Sequence, residues 1–143
     1  IKANLFMNKS TETKVIIIYN YNHIICAMKA ASKLEKKIII ESPPNAASYM
    51  GPLFFKKLLK KGKSLFPTIK YIEILDCGND TGLALEAIHH EINLKIKCNK
   101  IVLEKIKNIC KKNGLSVNDT NKKKLDLKHV EDVYDECLKW LNN

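Results

Sequence analysis

Short apolar runs recur along the chain, and most are followed by a stretch of helical period. Val15–Tyr19 (VIIIY) and Ile38–Ile40 are continuous and β-branched, the mark of strands covered on both faces. Tyr71–Asp76 alternates more, with Glu73 between Ile72 and Ile74, and Leu94–Cys98 alternates cleanly with Lys95 and Lys97. One face of that fourth strand is therefore expected to meet water. Leu115–Val117 reads as a short fifth strand, and Asn118–Lys124 as a polar connector.

The intervening segments carry apolar residues at helical spacing. Asn20-Tyr21-Asn22 offers a turn and an N-cap before Ile24, Ala27, Met28, Ala31 and Leu34. After Ser42-Pro43-Pro44-Asn45 breaks the second strand, a helical turn over Ala46–Met50 meets Gly51-Pro52, which suits a restart or kink. Leu53–Lys61 continues, with Gly62 placed as its stop. A helix from about Thr81 to Ile92 buries Leu83, Ala84, Ala87 and Ile88. Asn99 caps the next, which ends at Asn113-Gly114, and the last runs from about Lys128 to Leu141 on the stripe Val130, Val133, Tyr134, Cys137, Leu138 and Leu141.

Strands alternating with helices of this length predict an α/β fold, a three-layer sandwich with a mostly parallel sheet of about five strands, flavodoxin-like or half-Rossmann. A partial (β/α) barrel completed by a second chain is the alternative. With 143 residues, the expected organisation is a loose polar lead over residues 1–13 and one domain over 14–143.

Composition narrows the function classes. No apolar run reaches the roughly 18–20 residues that cross a bilayer, and no signal core follows the start, so the expectation is a cytoplasmic protein without membrane association. The formal charge of +10 comes from lysine alone, because the chain has no arginine. Lysine cannot supply the planar fork used for base readout, so a diffuse solvated surface is favoured over a nucleic-acid partner. The densest basic run, Lys56–Lys63, has the spacing of an ordinary solvated helix. Five cysteines without a C-x-x-C pair read as reduced, buried thiols, and no metal site is expected.

Parallel sheets bind ligands beyond the carboxyl ends of their strands. Those ends present Tyr19 to Asn22, Glu41 to Asn45, Asp76 to Asp80, Cys98 to Asn99 and Asn118 to Asp119. Glu41 and Asp76 would share a cleft if their strands are neighbours, as a paired acid set or as separate turn-capping acids. Cys77, three residues before a helix, is either a thiol activated by the helix end, with His23 as partner, or an inert core residue. The loop Gly78-Asn79-Asp80-Thr81-Gly82 matches neither G-x-G-x-x-G nor a P-loop. Its amides suit an acceptor, and its bland role is an Asp80 or Asn79 cap with Gly82 easing helix–sheet packing.

Two stretches, SPPNAASYMGPLFFKKLL at Ser42–Leu59 and ILDCGNDTGLALEAI at Ile74–Ile88, resemble the short, uncharacterised α/β proteins of alphaproteobacteria. The resemblance implies an intracellular bacterial protein, brings no assigned activity or cofactor, and directs interest to Ser42, Pro43, Tyr49, Gly51, Asp76, Cys77, Gly78 and Gly82. The expected ligand-binding set is thus Glu41, Ser42, Tyr49, Asp76, Cys77, Gly78 and Asn79. The expected function is binding of a small polar or phosphorylated molecule there. The rival is a homodimeric or interaction subunit using the last helix or a sheet edge.

Overall fold

The computed structural model describes residues 12–118 and 122–143. The predicted lead over residues 1–13 therefore lies almost wholly outside the described residues, as does Asp119. Strands β1 (Lys14–Ile17), β2 (Ile38–Glu41), β3 (Tyr71–Asp76), β4 (Leu94–Lys95) and β5 (Lys124–Asp126) form one sheet in the order β4-β3-β2-β1-β5. Every pairing is parallel. The fold is α/β, with helices packed on an all-parallel five-stranded sheet in the manner of flavodoxin-like proteins.

The helices are α1 (Tyr21–Leu34), α2 (Ala46–Met50), α3 (Pro52–Leu65), α4 (Thr81–His89), α5 (Lys100–Lys112) and α6 (Val133–Asn142). Their local signals are those of the sequence. Asn20, Asp80 and Asn99 cap α1, α4 and α5 by accepting from the amides of His23, Leu83 and Val102. Gly51, at φ +81°, separates α2 from α3, and Pro52 opens the latter. Side chains of Ile16, Ile18, Ile38, Ile40, Leu75 and Leu94 project from one sheet face into the main core, where Ile24, Met28, Phe55, Leu59, Ile88, Ile106, Cys137 and Leu141 meet them. Alternation along the strands sends Ile17, Glu41, Ile74, Asp76, Lys95 and Lys124 to the other face.

Four expectations are corrected. The fifth strand is Lys124–Asp126, beside β1, whereas Val117 makes only an isolated bridge to Leu94. Lys124-Leu125-Asp126 carries a single apolar side chain, too little to stand out from a polar connector. Helix α3 runs through Gly62, which is buried: a Cβ there would lie 2.9 Å from both Ile24 Cγ2 and Met28 Sδ. That glycine serves the contact between α1 and α3, not a helix stop. Helix α4 ends at His89, because Glu91 turns left-handed at φ +59° and Ile92 tucks back onto Ala87. The last helix starts at Val133, because Asp132 caps it by accepting from the Asp135 amide.

Candidate functional site

The carboxyl ends of β2, β3 and β4 are locked together by short-range hydrogen bonds. Ser42, fully buried, donates its amide to Ile74 O, and its hydroxyl accepts from the Asp76 amide at 2.9 Å. The Asp76 carboxylate then turns the chain by accepting from the Gly78 amide at 2.8 Å. Gly78 sits at φ +60°, with Asn45 against it: a Cβ there would lie 2.2 Å from Asn45 Oδ1. Asn45 is itself left-handed at φ +58°, which asparagine tolerates. Pairing between β3 and β4 continues past the strand ends, because Cys77 donates to Lys95 O and Lys97 donates to Gly78 O.

These loops enclose a cavity of about 650 Å³ lined by residues 44–45, 48, 76–80 and 95–97. Two acids and two lysines face it. Each acid already has one oxygen on a backbone amide, Asp76 on Gly78 and Asp80 on Leu83. Lys95 stands directly across from Asp76 in the register. Beside the cavity, Glu41 is 3% exposed and accepts hydrogen bonds of 2.8 and 2.9 Å from the Lys124 ammonium, one on each oxygen. Lys95 Nζ approaches the same carboxylate at 3.8 Å, too far for a hydrogen bond. Three strands thus contribute to one charge cluster across the sheet, with a net charge of +1.

The strand order reverses between β1 and β5, where parallel sheets commonly open a crevice. Here α1 and α6 pack directly against each other, and Lys29 Nζ lies 4.7 Å from the Tyr134 ring centre. The open cavity lies instead beyond β3 and β4. At the reversal, burial first and the neighbouring Asp126 second push the Tyr19 phenol up to about 12. His23 is buried, held below its ordinary value by desolvation, and its Nδ1 accepts from the Tyr19 amide.

The structure brings Asp76, Cys77, Gly78 and Asn79 to the cavity wall, with Glu41 and Ser42 as buried supports beside it. Tyr49 is 66% exposed on α2, with its phenol raised by burial first and by Asp76 second. Cys77 is not an activated thiol. It is buried, its Sγ donates to Leu75 O, and burial followed by the charges of Asp76 and Asp80 pushes it up to about 12. The Cys77 thiol is engaged by Leu75 O, and the His23 Nδ1 by the Tyr19 amide, so the structure shows no hydrogen bond between the two among the described residues. Gly82 is exposed, and a Cβ there would meet only Asp80 Oδ1, so it does not ease packing on the sheet.

Sequence reasoning missed Lys95, Lys97 and Lys124. The alternation of Lys95 and Lys97 announces a polar face, but not that this face holds a buried carboxylate. Among the described residues no three His, Cys, Asp or Glu side chains gather to hold a metal ion, and no helix is long and apolar enough to cross a membrane. No protein-family model matches the chain, and no curated protein is significantly similar to it.

Proposed function

We propose that this protein binds a small polar molecule in the cavity beyond the ends of β3 and β4. The observation that carries the reading is the cavity itself: about 650 Å³, at the carboxyl end of a parallel sheet, walled by three successive strand–helix loops with both acid and amine groups at its surface. That volume suits a metabolite-sized ligand. Asp76 supplies an acceptor to hydroxyl or amino groups, and the Asn79 and Asp80 loop closes one wall. Cys77 contributes wall and core rather than chemistry. The lowered helix-end thiol chemistry that would favour an enzyme has no support here.

The test is a thermal-shift panel of nucleotides, sugar phosphates, amino acids and organic acids on the purified protein. A ligand at a hundredfold its Kd adds about 2.7 kcal/mol, several degrees for a domain of this size. The reading expects a hit whose shift is lost in Asp76→Asn, which keeps the turn acceptor but removes the charge. A hit that Asp76→Asn leaves intact places the ligand elsewhere.

A second reading, docking of another protein chain, draws on one observation. Tyr49, Leu53 and Phe54 are 66%, 42% and 56% exposed over six consecutive residues. The last helix is the weaker candidate for such a surface, because Val133, Cys137 and Leu141 are buried within the fold. A monomer on sizing across a hundredfold range of concentration removes the homodimer form of this reading.

A further inference from the structure

We infer that Lys95 and Lys97 form an oxyanion subsite of the cavity, so that its ligand carries a phosphoryl or carboxylate group at the β4 end and a hydroxyl or amine at the Asp76 end. The inference deepens the binding reading above and rests on it.

The charges around the cavity are already partly engaged. Asp76 and Asp80 each spend an oxygen on a backbone amide. The buried Glu41 carboxylate is satisfied on both oxygens by Lys124. Lys95 is left at 3.8 Å from Glu41, held near it by charge but donating no hydrogen bond to it. Lys97 has no side-chain partner among the described residues, and both lysines line the cavity. The lining charges therefore cancel in number but not in hydrogen-bonding capacity: the free donors are on the lysine side.

Position fits the same ligand. Lys95 and Lys97 are two residues apart on an extended segment, so they project from one sheet face roughly 6–7 Å apart. Two long, flexible side chains rooted at that spacing can bring their ammonium groups onto the oxygens of one tetrahedral or planar anion. Lys95 is the register partner of Asp76 on the neighbouring strand, so the two side chains leave the same sheet face side by side, and the anion-binding and acceptor groups adjoin each other. A molecule bearing both kinds of group is matched at both ends. The Glu41–Lys124 pair keeps the buried acid from drawing Lys95 into a full hydrogen bond, and so leaves the ammonium available.

The experiment is an amide-resolved NMR titration of the full chain with inorganic phosphate, acetate and glucose at constant ionic strength. Saturable shifts with phosphate at residues 76–80 and 95–97, weakened at least tenfold in Lys95→Met and in Lys97→Met, support the subsite. Tighter binding of phosphate than acetate assigns the dianionic phosphoryl group; the reverse order assigns a carboxylate. Anion shifts that follow Lys56–Lys63 instead, or that survive both substitutions, overturn it. Glucose shifts at residues 76–80 with no anion response remove the subsite and leave the binding reading standing. No response at these loops to any probe removes both. Unaltered far-UV circular dichroism of the two variants separates lost binding from lost folding.

Discussion

The Lys124 ammonium reaches past β1 to place hydrogen bonds of 2.8 and 2.9 Å on the two oxygens of Glu41, a carboxylate only 3% exposed. The last strand and the second are thereby tied across the strand between them. Removing one member of a buried pair leaves the other charged and without solvent, a cost of about 3–5 kcal/mol. Lys95 remains nearby, so Lys124→Met is expected at the lower end, about 3 kcal/mol, read as the loss of stability in urea unfolding. Glu41→Leu combined with Lys124→Met is expected to restore most of it. A double variant whose loss equals the sum of the two single losses would show that the pair is not coupled.

Gly78→Ala places a side chain at φ +60° and a Cβ 2.2 Å from Asn45 Oδ1. A left-handed non-glycine residue costs about 1–3 kcal/mol, and the contact with Asn45 adds to it. Adding Asn45→Ala to Gly78→Ala is expected to recover the contact part and leave the backbone part. A Gly78→Ala variant as stable as the parent in thermal unfolding would contradict the left-handed turn.

Alkylation should discriminate among the five thiols. Burial pushes Cys77 and Cys137 up to about 12 and raises Cys110, while Cys98 is half-buried. Iodoacetamide at pH 7.5 is expected to label Cys98 first and to spare Cys77, Cys110 and Cys137 until denaturant is added. Rapid labelling of Cys77, read by peptide mass spectrometry, would reinstate a reactive thiol at the cavity.

Glu73 projects to the helix-covered sheet face, and burial raises its carboxyl despite the opposing pull of Lys56 and Asn93. The folded state therefore holds a proton more tightly than the unfolded chain, whose value is near 4.5. Stability is lost as pH rises from that value through the raised folded one, and is recovered below it. Glu73→Gln is expected to raise Tm at pH 7 and to lose that advantage near pH 4. A variant less stable than the parent at pH 7 would mean that the charged form is the favoured one.

How much of this was legible follows from which residues speak locally. Val15–Ile18 and Ile38–Ile40 announce buried parallel strands by composition alone, and Asn20, Asp80 and Asn99 announce helix starts through a bond to an amide three residues on. The loop from Asp76 to Asn79 was legible as a site because a parallel sheet presents its strand ends there. Lys124 was not, because a three-residue strand with one apolar side chain differs little from a polar connector. Lys95 and Lys97 looked like a wet face because nothing in their spacing says which acid lies two strands away.

The sequence by itself determined the alternation of strands and helices, the parallel sheet that such alternation forces, the caps, and the segment in which to seek a site, since each rests on contacts within a few residues. Tertiary structure alone decided the strand order, the placement of β5 beside β1, the close approach at Gly62, and the meeting of Glu41 with Lys95 and Lys124. Those features join residues that are distant in sequence, from Leu75 with Leu94 to Val15 with Lys124, and such pairings are chosen by the burial of the whole core and by which charges must be matched once water is gone.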